Sequence, residues 1–373
     1  MTLHIVHMTS GHEAHDTRIV AKQCAGLAAM GYRVSLVARA TQQGGTAPMP
    51  PKVTHVPVPR PTGRLGRFIK TAIAVVRQAK KLDPDIYHFH DPELLPHALW
   101  LARQGKIVVY DVHEDYRRSI RDRSWLPKPL QWLAQNMIVW LETQMSYYGW
   151  VAAATPDIAT HFPAEKTALV QNFPSLAEFD SYDQPLPLTQ RANRLVYVGA
   201  ITQERGIADI IAALPQIKSH YADICFDLIG PLTPEYKRQL QTIPGWEAVT
   251  CHGRLDRANV VACLHQAKIG LVTLQDVPRY RVSQPTKLYE YMAAGLPVVA
   301  SNFPYWESQV GSDIGIFVPP DPDNIAQAIL TLLSDPKTAA EMGHRGRQKV
   351  EQDFSYESDL ARLVALYARG QNS

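Results

Sequence analysis

The sequence predicts two α/β domains in series, each with a parallel sheet covered by helices. Short runs rich in Val, Ile and Leu alternate with helical patterns, and this alternation occurs twice along the chain. The stretch from Ser175 to Asn193 is polar, contains proline and lacks a clear period, which is typical of an inter-domain connection. We therefore expect one domain over residues 1–180, a second over 181–355 and a final helical segment over 356–373.

The first series opens with the strand "LHIVHM", continues with a helix that stops at Gly31, and returns through the strand "YRVSLVA". The strand "DIYHFH" then leads into a helix for which Asp91 is the expected cap and Pro92 the expected first residue. The strands "KIVVYDV" and "WVAAAT" complete this series.

The second series begins with the strand "RLVYVG" and a helix from about Ile207, followed by the strands "ICFDLIG" and "VTCHG". A helix capped by Asp256 precedes the strand "KIGLVTL". A further helix starts at Pro285 and Thr286 and stops at Gly295, before the strand "LPVVAS". The strand "IGIFVPP" and two helical patterns follow. Ligands of such sheets bind at the carboxyl ends of the strands, so residues just after strands are the candidates for a site.

The composition excludes several classes of protein. The four cysteines are widely spaced in apolar segments, so they form neither a disulfide framework nor a zinc-binding pattern. The N-terminus does not resemble a signal peptide, and no segment offers about 18 consecutive apolar residues, so we expect a cytoplasmic protein. Neither a G-x-G-x-x-G after a strand nor a G-x-x-x-x-G-K-[ST] occurs, which removes support for hydride transfer and ATPase chemistry.

The net charge of +3 hides an asymmetry between the two halves. Residues 1–180 contain 20 Lys and Arg against 15 Asp and Glu, and the remainder contains 18 against 20. Much of the excess lies in a predicted basic amphipathic helix, whose basic residues are Arg60, Arg64, Arg67, Lys70, Arg77, Lys80 and Lys81 and whose apolar residues are Ile69, Ala72, Ile73, Val76 and Ala79. This helix either has a solvated basic face or binds anionic lipid headgroups. It contains no recognisable motif for reading a nucleic acid.

Two strand ends of the second series carry groups that suit a phosphate. In "VGAITQERG", Gly199 permits a tight turn, and Arg205 with Gly206 opens a helix. Backbone N–H groups and a guanidinium would therefore meet a diphosphate together. The alternative is an ordinary strand-to-helix turn with Arg205 in solvent.

The helix of "PTKLYEYMAAG" carries Lys287 in its first turn, where the positive helix N-terminus disfavours a cation. A bound anion would remove this conflict. Glu290 follows three residues later on the same face, where its carboxylate is able to accept hydrogen bonds from the two hydroxyls of a ribose. The alternative is a surface ion pair between Lys287 and Glu290, and the residue types alone leave both interpretations open.

The segments "YVGAITQERGI" and "PTKLYEYMAAGLPVVAS" resemble the donor-binding domain of glycosyltransferase family 4, whose members are retaining enzymes of GT-B fold. The segments "HEAHDTRIVAKQCAGLAAMGYRVSLVA", "YHFHDPELL" and "YDVHEDY" resemble the acceptor-side domain of the bacterial polysaccharide branch of that family. The resemblance implies two Rossmann-like domains facing across a cleft, with a nucleotide-sugar donor held by the second. It also implies that the final helix, about Tyr356 to Arg369, crosses back to the first domain.

The resemblance assigns roles to individual residues. Arg205 and Lys287 match the diphosphate-binding pair of the family, and Glu290 matches the glutamate that binds the ribose. Gly199 matches the glycine beneath the phosphates. Many members carry an arginine directly after that glycine, where this chain has Ala200.

Many members also carry a glutamate that meets the donor sugar, at the position where this chain has Val282. Ser283, Gln284 and Thr286 are the candidates to replace it. In the first domain, His113 of "DVHED" matches a histidine beside the donor sugar. The alternative is a strand-end histidine with local hydrogen bonds.

The resemblance also implies that catalysis needs neither a metal nor another cofactor. Histidines and acids that could be mistaken for metal ligands occur in the first domain, but neither cysteines nor a carboxylate cluster complete a ligand set. We favour acceptor-cleft or structural roles for His12, His15, His88, His90 and Asp91.

The expected activity is transfer of a sugar, with retention, from a UDP-sugar or GDP-sugar to a saccharide acceptor. Arg205, Lys287 and the helix N-terminus would stabilise the leaving diphosphate. We expect a lipid-linked acceptor at the cytoplasmic membrane face, because the basic helix and the run "YRRSIRDRSWLPKPLQWLAQNMIVWL" both lie in the acceptor-side half. Core packing is the alternative explanation for Trp125, Trp132 and Trp140. A nucleotide-sugar 2-epimerase of the same architecture and a non-catalytic partner subunit are the alternative functions.

Overall fold

The structure is a computed structural model that describes residues 2–42, 44–60, 66–120, 127–182 and 186–372. The chain divides into two compact units: unit 1 comprises Met1–Asn172 and Ser358–Ser373, and unit 2 comprises Phe173–Glu357. Residue 180, the predicted end of the first domain, lies in unit 2, because Phe179 is buried in the core of that unit. Most of the segment predicted over 356–373 lies in unit 1.

Unit 1 contains a seven-stranded sheet in the order β3-β2-β1-β4-β5-β6-β7, and all its pairings are parallel. Its strands are β1 (His4–Met8), β2 (Arg33–Arg39), β3 (Val53–Val58), β4 (Ile86–Phe89), β5 (Ile107–Val112), β6 (Trp150–Ala153) and β7 (Thr167–Leu169). The central strands β1, β4 and β5 are almost entirely buried, because their apolar runs are covered by helices on both faces.

The helices of unit 1 that lie between its strands follow in chain order. They are α1 (Thr17–Cys24 in π-helical turns, continued by Ala25–Ala29), α2 (Arg67–Thr71 in π-helical turns, continued by Ala72–Lys81), α3 (Leu95–Arg103), α4 (Tyr116–Ser119), α5 (Lys128–Tyr148) and α6 (Pro156–Ala159). A 3-10 turn, Pro92–Leu94, precedes α3.

Unit 2 contains a six-stranded parallel sheet in the order β10-β9-β8-β11-β12-β13. Its strands are β8 (Arg194–Val198), β9 (Cys225–Ile229), β10 (Val249–Gly253), β11 (Ile269–Val272), β12 (Val298–Ser301) and β13 (Gly315–Val318). Its helices are α7 (Leu176–Asp180), α8 (Ile207–Lys218), α9 (Pro234–Leu240), α10 (Arg257–Gln266), α11 (Pro278–Arg281), α12 (Thr286–Ala293), α13 (Pro304–Val310), α14 (Pro322–Ser334) and α15 (Pro336–Gln352). The last helix, α16 (Tyr356–Gln371), enters unit 1.

Several helix ends follow the predicted chemistry. Asp256 caps α10, because its carboxylate accepts a hydrogen bond of 2.8 Å from the Asn259 backbone N–H. Gly295 has a φ of +68° and follows α12, and the Leu296 N–H donates back to the Tyr291 carbonyl at 2.9 Å. The left-handed glycine therefore ends α12 abruptly before β12.

Three features differ from the sequence predictions. β3 and β7 were not predicted; they are the edge strands, and β3 contains Pro57, which a central strand would not tolerate. Asp91 is at the N-cap position and Pro92 is the first residue of the turn that follows, as predicted, but the Asp91 carboxylate forms no capping hydrogen bond; it instead accepts a hydrogen bond from Thr9 Oγ1 at 2.6 Å. Ile69 is exposed, although the periodicity places it on the apolar face of α2.

Two observations concern the candidate membrane surface. Across the described parts of the chain, no helix is both long and apolar enough to span a bilayer. Arg64, Arg121, Arg123 and Trp125 lie outside the described residues.

Candidate active site

In unit 2, the structure brings two predicted site residues into direct contact. Gly199 follows β8 with a φ of +139°, and a Cβ atom at this position would overlap the side chain of Lys287. Lys287 belongs to the first turn of α12, so the helix delivers its ammonium group to the carboxyl end of β8. Another residue would push the Lys287 side chain aside and would also have to adopt a φ that favours glycine, so Gly199 suits this arrangement.

The Lys287 ammonium is half-buried and lacks a carboxylate within ion-pair distance among the described residues. Burial, together with the positive charge of Arg205, lowers its pKa to about 8. The residue at the N-cap position of α12 is Pro285, whose side chain offers no hydrogen bond to the helix, so this position does not compensate the positive end of the helix dipole. Both features favour binding of an anion at this point.

Arg205 ends a 3-10 turn, Gln203–Arg205, that is fixed to neighbouring loops. The next residue, Gly206, has a φ of +68°, and a Cβ there would overlap the carbonyl oxygen of Thr273. The Arg205 guanidinium carbon lies 5.1 Å from the ring centroid of Tyr280, and the Tyr280 hydroxyl donates to Glu204 at 3.0 Å. These contacts hold Arg205 at the carboxyl ends of β8 and β11, close enough to influence the pKa of Lys287.

Glu290 has a partner that the sequence interpretation missed. Its Oε1 accepts a hydrogen bond from Arg257 Nη1 at 2.7 Å, and Arg257 Nε donates to Glu178 at 2.6 Å. Glu290 therefore pairs with Arg257, and the alternative ion pair with Lys287 does not form. Arg257 is the first residue of α10, where a cation is as unfavourable as Lys287 is in α12. A cation in the first turn of a helix, the feature that indicated Lys287, was therefore also visible in the sequence at Arg257.

The remaining predicted residues of unit 2 lie around this cluster. Thr286 is the first residue of α12 and is half-buried. Ala200 and Val282, where many family members carry charged residues, are both exposed. The site of unit 2 thus concentrates positive charge on Arg205, Lys287 and the N-terminus of α12.

In unit 1, His113 follows β5 and lies beside a buried carboxylate. Asp111 is fully buried, and it accepts hydrogen bonds from Arg18 Nη2 at 2.7 Å and from Gln23 Nε2 at 2.6 Å. Burial alone would raise the pKa of Asp111, but the Arg18 guanidinium and the neighbouring imidazoles hold it well below its usual value. Asp111 is therefore an ionised carboxylate inside unit 1.

A cluster of imidazoles surrounds this carboxylate; we call His7, His88, His90 and His113 the histidine cluster. The sheet register pairs His7 of β1 with His88 of β4, and His90 extends the same face. His88 Nδ1 lies 2.5 Å from the hydroxyl of Tyr367, a residue of α16. Burial lowers the pKa of His90 to about 3 and that of His113 to about 4. Both rings are therefore neutral at pH 7.

His12 differs from the cluster. It is partly exposed, and its Nδ1 lies 3.1 Å from Asp16 Oδ2. The hydrogen bond to Asp16 raises the pKa of His12, so this is the imidazole of the region that takes up a proton most readily. Asp91 fixes the loop that precedes His12, because its Oδ2 accepts hydrogen bonds from the backbone N–H groups of Ser10 and Gly11.

Two triplets in this region have nitrogen or oxygen atoms within 4.8 Å of one another: His7 with His88 and His90, and His90 with Asp111 and His113. That proximity would allow a metal ion. However, His7 Nδ1 and His90 Nε2 are 2.9 Å apart, and His90 Nδ1 and His113 Nε2 are 3.1 Å apart. These are hydrogen-bond distances, so these nitrogens face each other instead of converging on an ion.

Comparisons with known proteins agree with these two units. The model described as Glycosyltransferase Family 4 matches residues 17–164, and the model described as Glycosyl transferases group 1 matches residues 192–335. A glycogen synthase from Mycobacterium tuberculosis is 25% identical over 292 residues, which cover 76% of this chain and 68% of that protein.

Solved structures match this chain over nearly its whole length. Sucrose-phosphate synthase from Thermosynechococcus elongatus superposes with a TM-score of 0.73 and 19% identity, over 99% of both chains. HepE from Anabaena, solved in complex with UDP and glucose, superposes with a TM-score of 0.67 and 15% identity, over 98% of this chain and 99% of that chain.

Two Rossmann-like units with parallel sheets of seven and six strands, shared with these structures, define the GT-B fold. The two family models together match more than half of the chain, one in each unit and in the predicted order. The chain is therefore a glycosyltransferase of GT-B fold, and the predicted fold class and enzyme class are confirmed.

Proposed function

We propose that this glycosyltransferase moves a sugar from a UDP-sugar or GDP-sugar to a saccharide acceptor, with retention and without a metal ion. The observation that supports this most directly is the uncompensated positive charge of unit 2, where Lys287 rests on Gly199 beside an uncapped helix N-terminus. A nucleoside diphosphate would bring the negative charge that compensates the positive charge of this site. The HepE structure contains UDP, which makes UDP the first nucleotide to test.

In the proposed reaction, the diphosphate gains negative charge as the bond to the sugar breaks. Arg205, Lys287 and the N–H groups of α12 would stabilise that charge, in the way that a magnesium ion does in other transferases. The departing phosphate would help to remove the proton of the acceptor hydroxyl. Glu290 would hold the ribose through Oε2, because Oε1 already accepts from Arg257. His113 would lie beside the sugar as a neutral ring.

Calorimetric titration of UDP and GDP, with EDTA present, tests the donor site. We expect saturable binding of one nucleotide, and we expect Glu290→Ala to weaken it about tenfold or more, because a charge-assisted hydrogen bond to the ribose contributes about 1.5–3 kcal/mol. Glu235→Ala, which removes an exposed carboxylate of the same unit, is the matched control and should bind as the wild type does.

Binding of neither nucleotide, or binding only after a divalent metal is added, would contradict the proposed donor site. With the base identified, NMR of the product tests retention through the configuration of the anomeric carbon. Conversion of the donor into its 2-epimer without an acceptor would instead indicate the epimerase.

We further propose that the acceptor is lipid-linked and that α5 contacts an anionic membrane surface. Seven large apolar residues of this helix are exposed: Leu130, Trp132, Leu133, Met137, Trp140, Tyr147 and Tyr148. Trp132 and Trp140 are 67% and 54% exposed, which excludes core packing as their explanation. The only acid of α5, Glu142, is buried against Arg117, so the exposed face bears no negative charge.

Sedimentation with anionic liposomes tests this surface. We expect the wild type to bind and to be released by salt, and we expect the double variant Trp132→Gln, Trp140→Gln to bind at least tenfold more weakly, since each tryptophan loses its burial in the interface. Leu186→Gln, which changes an exposed apolar residue of unit 2, should bind like the wild type. Binding that is absent, insensitive to salt, or equal in both variants would contradict the proposed membrane contact.

A further inference from the structure

The histidine cluster contains a row of three imidazoles that meet edge to edge. His7 Nδ1 lies 2.9 Å from His90 Nε2, and His90 Nδ1 lies 3.1 Å from His113 Nε2. The ring centroids of both pairs are 5.2 Å apart, close to the nitrogen separation plus two ring radii, and the planes differ by only 16° and 7°. Each pair therefore has the geometry of an N–H···N hydrogen bond.

Such a row couples the protonation of its members. A neutral imidazole carries one N–H and one lone pair, and each N···N bond needs one of each. Both nitrogens of His90 are engaged, so one must donate and the other must accept. Only two arrangements satisfy both bonds: the three rings all carry their proton on Nδ1, or all carry it on Nε2.

Asp111 distinguishes the two arrangements. Its Oδ2 lies 3.4 Å from His90 Nδ1, and its Oδ1 lies 3.5 Å from His113 Nδ1. A carboxylate attracts an N–H and repels a lone pair, so it favours a proton on Nδ1 of both rings. Each arrangement leaves one N–H at an end of the row, on His113 Nδ1 in the first and on His7 Nε2 in the second. Both are buried atoms without a hydrogen-bond partner in the described part of the chain, but only His113 Nδ1 lies beside a carboxylate oxygen that stabilises its proton.

We propose that Asp111 and His90 are positioning residues that hold His113 as a neutral ring with its proton on Nδ1, through a hydrogen-bonded row that begins at His7. His113 Nε2 then serves only as the acceptor for His90. Any contact with a sugar would come from the Nδ1 side or the ring carbons, and His113 would neither act as a base through Nε2 nor add positive charge. This consequence for catalysis rests on the proposed function, whereas the tautomer assignment does not.

Long-range ¹H–¹⁵N NMR of the full chain labelled with ¹⁵N-histidine tests the assignment, because protonated and bare ring nitrogens resonate in separate ranges. Single His→Gln substitutions identify each ring. We expect His7, His90 and His113 to be protonated at Nδ1 and bare at Nε2, and to stay neutral from pH 8 to pH 5. A proton on Nε2 of any of the three, or a charged ring in that range, would overturn the proposal whether or not the donor site exists.

Asp111→Asn tests the coupling. Without the carboxylate, all three rings should shift together toward the Nε2–H form, and the change at His7 would reveal the row. In the Asp111→Asn, His90→Phe double variant, the tautomer of His113 should still shift toward Nε2–H. His7 should keep the tautomer that it has in the His90→Phe single variant, because the row is interrupted. An unchanged His7 in the single variant would show that the rings are not coupled. If the variants do not fold, the wild-type spectrum still decides the assignment.

Discussion

A Lys287→Ala variant is expected to lose about 10²- to 10³-fold in kcat, while its affinity for the nucleotide product falls by a clearly smaller factor. Lys287 is half-buried against Gly199 and has no carboxylate partner among the described residues, so its charge is available to the diphosphate. That charge matters most as the bond to the sugar breaks. Steady-state kinetics, with the donor whose base calorimetry has identified, measures kcat. Calorimetric titration of the nucleotide measures the affinity.

Lys337→Ala is the matched control for this prediction. Lys337 is also the second residue of a helix, α15, but it is exposed and Asp335 caps that helix. Its removal should leave both quantities unchanged. Equal losses of kcat and of nucleotide affinity in Lys287→Ala would contradict a role in the transition state.

The pH dependence of nucleotide binding gives a second measurement on the same residue. Burial and the nearby Arg205 lower the pKa of Lys287 to about 8, so its ammonium is mostly charged at pH 7 and mostly neutral at pH 9. Affinity for the nucleotide should therefore fall as the pH rises through this range. A Lys287→Arg variant keeps its charge and should not show the fall.

Asp111→Ala is expected to lower the free energy of unfolding by about 3–5 kcal/mol, because it leaves a largely buried cation without its partner. Arg18 is only 11% exposed and donates to Asp111 at 2.7 Å, and Gln23 also loses its acceptor. Urea denaturation followed by circular dichroism measures the loss.

Lys106→Ala provides the control within unit 1. It also removes one charge of an ion pair, but both members of the Lys106–Asp83 pair are exposed, so its removal should change the stability very little. If the two variants lost equal stability, the Asp111 carboxylate would not have the structural role that we assign to it.

The residues that meet at the candidate site of unit 2 could be selected from the sequence because they belong to local features. A glycine after β8 and a lysine in the first turn of α12 are visible in short segments, and both segments end at the same edge of one sheet. The contact between Gly199 and Lys287 then follows from the parallel fold. Long central strands with apolar runs were equally visible, whereas the short edge strands β3 and β7 were not.

The pairing of Glu290 with Arg257 could not be predicted in this way, because it joins two helices that are distant in sequence. The histidine cluster shows the same limit. Period-two alternation places His88 with His90, and Asp111 with His113, on one face of their strands. Only the order β1-β4-β5 brings these pairs together with His7, and strand order is not written in any local pattern.

Unit 1 is not continuous along the chain, and this determines the order in which the two units are completed. Its last residues, 358–373, are synthesised after the whole of unit 2. They contribute Leu363, Leu366 and Tyr367, all of them buried, and Tyr367 supplies the hydroxyl that His88 faces.

A growing chain would therefore finish unit 2, whose residues are contiguous, before the unit whose synthesis began first. Until the final helix arrives, unit 1 lacks these buried side chains and the hydroxyl that His88 faces. We expect this half-finished unit to be the form of the chain that chaperones hold on the ribosome.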